Sequence, residues 1–260
     1  MRIEPASAPG DPARPNEDWV SAAPTAWGRG GVLVALDGVT PPQDDAGCVH
    51  DVPWFTARLG HTLVELSGSR RDMTLRKILA EAIRRTADAH RDTCDLSHAR
   101  TPQATAVMAR WGAEQVEHLV LCDSVLLLEA PDGRVTPIVD DRLSRVPRET
   151  RRSTAAIDAL RNAEGGFFTA AADPAVAERA VTGTSPRAEV RTVAALTDGA
   201  SCWTDVFGEG DWADCLAVLR KEGPSGLIGR VRALEEADAE LKTFGRWKLH
   251  DDASAVYVEL

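Results

Sequence analysis

No stretch of this sequence comes near the roughly 20 consecutive apolar residues that a membrane-spanning helix needs, so no association with a membrane is expected. The opening MRIEPASAPGDPARPNED lacks the apolar centre of a secretory signal. Cysteines are few: Cys48, Cys94, Cys122, Cys202 and Cys215, an odd number with no CxxC pair. That usage argues against a secreted disulfide framework and for a reduced, cytoplasmic setting. Basic residues are outnumbered, 30 Lys and Arg against 40 Asp and Glu, for a net charge of −10. Affinity for DNA or RNA comes from Lys and Arg displacing counterions from phosphates, so nucleic acid is not an expected partner. There is no internal repeat and no long low-complexity linker.

What is present suits one folded unit. The chain has 260 residues, 43% of them hydrophobic, enough to bury a large core without disulfides or structural metals. A single domain over 1–260 is expected, with 1–15 as an irregular, Pro-rich start. GVLVALDG (31–38) and VRTVAAL (190–196) read as buried strands, each followed by Asp-Gly. Helices are expected at 54–67 and 73–92; in the second, Leu75, Ile78, Leu79, Ala82 and Ile83 share one face. Strand patterns follow one another at 104–110, 116–123 and 124–130, and the turn at 131–134 leads into 135–140 as a hairpin. Residues 141–152 read as Arg-rich and irregular, with helices at about 150–162, 173–181, 211–220 and 226–241, and a closing strand at 253–260. Clustered strands with helix pairs set apart favour an α+β layering over a doubly wound parallel sheet.

Acidic residues recur at strand ends or in the loops beside them: Glu17-Asp18, Asp37-Gly38, Asp123, Asp198-Gly199 and Asp251-Asp252. Carboxylates brought together at one sheet edge repel and shift toward their neutral forms. Divalent cations remove the conflict, and hard ions such as Mg²⁺ and Mn²⁺ take oxygen ligands while keeping several waters. A glycine after the aspartate lets the backbone turn and approach an ion; Asp-Gly is also a common turn dipeptide.

Six motifs in order resemble the metal-dependent protein phosphatase family, type 2C: Asn16-Glu17-Asp18, Val34 to Gly38, Ala104 to Val107, Cys122-Asp123-Ser124, Leu196 to Gly199, and Asp251 to Ser254. The resemblance implies a four-layer α-β-β-α sandwich with two central antiparallel sheets. It implies that Asp37 bridges two ions (Mg²⁺ or Mn²⁺), that Gly38 offers its carbonyl, and that Asp198 and Asp251 ligate the second ion. Glu17 and Asp18 would act on the first ion's side through water, and Asp123 would serve a third, weaker site. The implied activity is hydrolysis of phosphoserine and phosphothreonine in a phosphorylated protein by a water activated between the ions, without a covalent enzyme intermediate. A monomer acting in signalling is expected.

The sequence departs from the family pattern in places. The phosphate-binding arginine would fall at Ala13, leaving Arg14 one step nearer as its replacement. Val39 stands where many members have histidine, Cys122 replaces glycine, and Cys202 stands where a further aspartate would fall, with Asp205 displaced. Cys48 and His50 form a pair of metal-capable side chains with no assigned role, and Arg142, Arg145, Arg148, Arg151 and Arg152 make a basic segment. Two alternatives stay open: a catalytically weak domain that binds a partner or phospholigand, and a phosphatase acting on a small metabolite.

Overall fold

The structure, a computed structural model, describes residues 1–25, 30–41, 47–246 and 248–260. In chain order its elements are β1 (Arg2–Ala8), β2 (Trp19–Pro24), β3 (Gly31–Leu36), α1 (Val52–Ser69), α2 (Leu75–Asp88), β4 (Ala106–Trp111), β5 (Gln115–Leu121), β6 (Val125–Glu129), β7 (Val135–Ile138), α3 (Arg148–Arg151), α4 (Thr154–Leu160), β8 (Val181–Pro186), β9 (Thr192–Leu196), α5 (Asp198–Asp205), α6 (Trp212–Ala237) and β10 (Ala253–Glu259). The strands form two five-stranded antiparallel sheets, ordered β1-β10-β9-β6-β7 and β2-β3-β4-β5-β8.

Strand β3 shows why the apolar runs are continuous rather than alternating. Val32, Val34 and Leu36 pack against α1 and α2, while Leu33 and Ala35 face the other sheet. A strand covered on both faces needs apolar residues at every position. The first sheet does the same. Leu126, Leu128, Val193, Ala195, Val256 and Val258 meet the second sheet, and Leu127, Ala194, Leu196, Ala255 and Tyr257 meet α5 and α6. The result is an α+β sandwich of four layers, helices outside and sheets within, as expected.

Helix ends are set locally. Asp51 caps α1 by accepting a hydrogen bond from the Trp54 amide at 2.9 Å. Asp211 and Asp214 form a capping box at the start of α6. The two helices expected at 211–220 and 226–241 run on from one another, with a kink at Gly223, whose φ of 73° precedes Pro224.

Several expectations are corrected. The start of the chain is not irregular throughout: residues 2–8 form β1, paired with β10 from Arg2↔Glu259 to Ala8↔Ala253. Its edge position tolerates Pro5 and asks for few apolar side chains. Strands β5 and β6 do not pair, although they follow one another. They belong to different sheets, and the chain crosses between them at Cys122, which takes a positive φ of 68°. The segment 173–181 is a 3₁₀ turn at Pro174–Arg179 rather than an α-helix, and one helical turn, α3, lies in the Arg-rich segment. Strands β2 and β8 and helix α5 were not foreseen. Among the described residues, no helix is long and apolar enough to cross a membrane.

Candidate metal centre

Antiparallel pairing continues past the end of β3, and this places the first aspartate. Asp37 donates its amide to the Thr105 hydroxyl at 3.2 Å and accepts from the Thr105 amide at 2.9 Å, and Gly38 bridges to Ala104. The buried Thr105 hydroxyl lies 2.6 Å from that of Ser124, next to Asp123. A side chain on Gly38 would collide with the Glu17 carbonyl at 2.4 Å and Val52 Cγ1 at 2.4 Å, so glycine is needed for close approach rather than for an unusual φ.

The other aspartates arrive from the first sheet and the N-terminal segment. Asp18, just before β2, accepts a hydrogen bond from the Thr197 hydroxyl at 2.8 Å. Thr197 precedes Asp198, which opens α5, where the helix N-terminus favours a negative charge. The Asp198 carboxyl lies close enough to that of Asp37 for the two to interact electrostatically. Asp251 pairs with the Lys248 ammonium, and its carbonyl accepts from Arg232 of α6 at 2.6 Å. A Cβ on Gly199 would fall 2.0 Å from the Asp252 carbonyl, so Gly199 lets the α5 start and the Asp251-Asp252 turn touch. Asp252 itself works as a bracket, accepting from the amides of Gly10 at 2.7 Å and Glu17 at 2.6 Å.

The electrostatics follow from crowding. Burial, reinforced by the charges of Asp198, Asp18, Asp123 and Asp251, holds the Asp37 carboxyl well above the usual carboxylate range. Burial pushes Asp18 up to about 8, against the hydrogen bonds from Ser254 and Thr197. Burial and the Asp198 charge push Asp251 up to about 6 despite Lys248. Burial is also the main cause raising Asp198, Asp123 and Glu17. Asp37, Asp123, Asp198 and Asp251 keep some surface open to solvent, yet their carboxyl groups lie deep enough for desolvation to dominate.

Asp37 thus lies within electrostatic reach of Asp18, Asp123, Asp198 and Asp251. Two oxygens, Asp18 Oδ1 and Asp198 Oδ1, are buried with no hydrogen-bond partner. Orphaned, mutually repelling carboxylates are the kind of oxygen donor that hard divalent cations such as Mg²⁺ or Mn²⁺ satisfy, so by donor chemistry the residues suit them. Among the described residues, no three Asp, Glu, His or Cys side chains come together closely enough to hold a metal ion as they stand.

The periphery differs. Arg14 is exposed and stands 4.0 Å from Glu17 Oε1. Glu17 also accepts from the Thr40 hydroxyl. Cys202 is buried and donates to the Gly199 carbonyl at 3.1 Å, adding no carboxylate. His50 stacks on Trp54 with ring centroids 4.0 Å apart. In the basic segment, Arg142 is bound to Asp140 and Arg145 to Asp141. Lys248, Arg232 and Thr197 were not singled out from sequence. Lys248 lies three residues before Asp251, and a lone basic residue in a charged chain carries no signal of its own.

No family model matches the sequence, and no curated relative matches it. Solved structures do match, and over the whole chain. The serine/threonine phosphatase Stp1 from Staphylococcus aureus aligns with a TM-score of 0.61 at 11% identity, covering 100% of this chain and 95% of that one. The Mycobacterium tuberculosis serine/threonine phosphatase PstP/Ppp gives 0.59 at 17% identity, covering 100% and 98%. Serine-threonine phosphatase 2C from Toxoplasma gondii gives 0.62 at 13%, covering 99% and 94%. The chain has the fold of the type 2C phosphatases.

Proposed function

We propose that residues 1–260 are one catalytic domain that hydrolyses phosphoserine and phosphothreonine monoesters in phosphorylated proteins, using Mg²⁺ or Mn²⁺. The observation that carries this reading is the meeting of Asp18, Asp37, Asp198 and Asp251 with two buried carboxylate oxygens left without partners. Asp37, central to the cluster, and the Gly38 carbonyl would hold a pair of ions together with Asp198 and Asp251. Glu17 and Asp18 would hold ion-bound waters, and Asp123 a third ion. When bound, the ions would supply Lewis-acid stabilisation of the phosphoryl oxygens and a water acidified toward neutral pH. The chain's own residues do the positioning. Thr197 fixes Asp18, Thr105 fixes the Asp37 backbone, and Arg232 fixes the Asp251 backbone. Arg14, exposed beside Glu17, would meet the substrate phosphate. A cytoplasmic setting fits the composition.

A second reading has its own support. Lys248 already places a cation on Asp251, and Cys202 and Ala13 remove groups the family pattern would supply. This favours a weakened domain that binds a phospholigand. Hydrolysis of p-nitrophenyl phosphate and of a phosphothreonine peptide, with and without Mn²⁺, separates the readings. The phosphatase reading expects Mn²⁺-dependent turnover of both, reduced at least about 100-fold in Asp37→Asn. Absence of turnover in a folded, Mn²⁺-loaded preparation would favour the binding domain. Turnover of metabolite phosphates alone would move the substrate to small molecules.

A further inference from the structure

Cys48 and Cys94 are 46 positions apart in sequence, yet their Sγ atoms lie 2.7 Å apart. Cys48 sits in the loop leading into α1, and Cys94 in the turn that follows α2. The contact is built by the backbone around it. The Asp95 amide donates to the Gly47 carbonyl at 2.7 Å, so the residues flanking the two cysteines are already tied. Gly47 takes a φ of 69°, and a side chain there would meet His98 Cβ at 2.6 Å, which fixes how closely the loops approach. The His50 amide points at Cys48 Sγ at 3.4 Å, and the Thr93 hydroxyl lies 3.6 Å from Cys94 Sγ.

Of the five cysteines, only these two are partly exposed; Cys122, Cys202 and Cys215 are buried. The two thiols are also unequal. Burial and the Cys94 contact push Cys48 up to about 11. At Cys94 burial pulls upward but is outweighed by hydrogen bonds from Cys48, Thr93 and the amides of Val49 and His50, leaving its thiol below the usual range. A structural zinc site is a poor fit, since it wants four ligands and no three such side chains come together among the described residues.

We propose that Cys48 and Cys94 are a reversible redox pair, closed to a disulfide by a peroxide. The Cys94 thiolate attacks one peroxide oxygen and becomes a sulfenic acid, and the departing hydroxide takes up a proton as water. The Cys48 sulfur then attacks the Cys94 sulfur, and its thiol proton leaves with the displaced hydroxide as a second water. Two thiols and one hydrogen peroxide thus give one disulfide and two waters. The sulfurs need only close to the bond length of about 2.05 Å. Cross-links of this kind in a reducing compartment are transient and redox-sensing. The disulfide would staple the start of α1 to the end of α2, through a segment in which Asp51 caps α1 and Val52 packs on Gly38. This inference stands independently of the phosphatase reading.

The test is peptide mapping of the full chain after stoichiometric hydrogen peroxide and alkylation of the remaining thiols. The expected result is one Cys48–Cys94 cross-link, a mass lower by two hydrogens, reversal by dithiothreitol, and a Tm raised by several degrees. In Cys48→Ser, Cys94 should instead accumulate sulfenic and sulfinic acid. Before oxidation, Cys94 should alkylate faster than Cys48 at neutral pH. The proposal is overturned if both residues stay alkylatable after peroxide, if the cross-link joins another cysteine, or if the isolated protein carries stoichiometric zinc that either serine variant releases.

Discussion

The Thr105 hydroxyl lies 2.6 Å from the Ser124 hydroxyl, a buried contact that joins the two sheets beside Asp37 and Asp123. Thr105 precedes β4 of one sheet and Ser124 precedes β6 of the other. Because Thr105 also receives the Asp37 amide, one hydroxyl pair sets the spacing of strand ends that carry two carboxylates. Removing one partner leaves the other buried and unsatisfied. Thr105→Val is expected to cost about 1–3 kcal/mol, and Thr105→Val with Ser124→Ala less than the sum of the two single changes. Urea unfolding of the three variants checks this.

The crowded carboxylates give a pH dependence with a definite sign. Asp18 and Asp251 titrate higher in the folded protein, at about 8 and about 6, than aspartate does in an unfolded chain. The folded state therefore holds more protons between pH about 4 and 8. The stability these groups contribute is fully present below pH 4 and is lost as pH rises through 6 and 8, by up to about 1.4 kcal/mol per group per pH unit. With EDTA present, the Tm should fall between pH 5 and pH 8. Saturating Mg²⁺ should flatten that fall and raise the Tm most at pH 8, since ions binding only the native state stabilise it. Differential scanning calorimetry across this range reads both effects.

Much of this centre was legible in the sequence, for a physical reason. Strands β3, β9 and β10 are covered on both faces, so they read as unbroken apolar runs, and a carboxylate directly after or before such a run must lie at a sheet edge. Strands β1 and β8 were not legible. RIEPASA and VTGTSP carry few apolar side chains because edge strands with an exposed face need few. The separation of β5 from β6 was hidden in one residue, since cysteine does not advertise the positive φ that Cys122 adopts. The pairings of Lys248 with Asp251 and of Cys48 with Cys94 depend on how loops fold back, and loop closure leaves no periodicity to read.

Lys248 makes a separate test. Desolvation would lower its pKa, but the charges of Asp251, Asp198 and Asp37 raise it, so a positive charge on a half-exposed side chain stands beside the cluster. That charge offsets carboxylate repulsion when no metal is bound and repels an incoming cation. Lys248→Met is expected to lower the Tm in EDTA and to tighten Mn²⁺ binding roughly tenfold. Isothermal titration with Mn²⁺ reads the second effect directly.

Gly199 offers a steric test of the same turn. Alanine there would put its Cβ 2.0 Å from the Asp252 carbonyl, backbone against backbone. Such overpacking moves the chain rather than a side chain, at a cost of about 1–3 kcal/mol. Gly199→Ala should lose that stability in urea unfolding and shift the Asp251-Asp252 turn away from α5, while Gly229→Ala, with nothing within 4 Å and no positive φ, serves as the control with no steric clash.

The most direct measurement is anomalous diffraction from a crystal grown with Mn²⁺. Two peaks are expected among Asp37, Asp198 and Asp251, with Glu17 and Asp18 reaching the first through water. Well-ordered carboxylates with no manganese between them, or manganese bound only at surface acids elsewhere, would contradict the account.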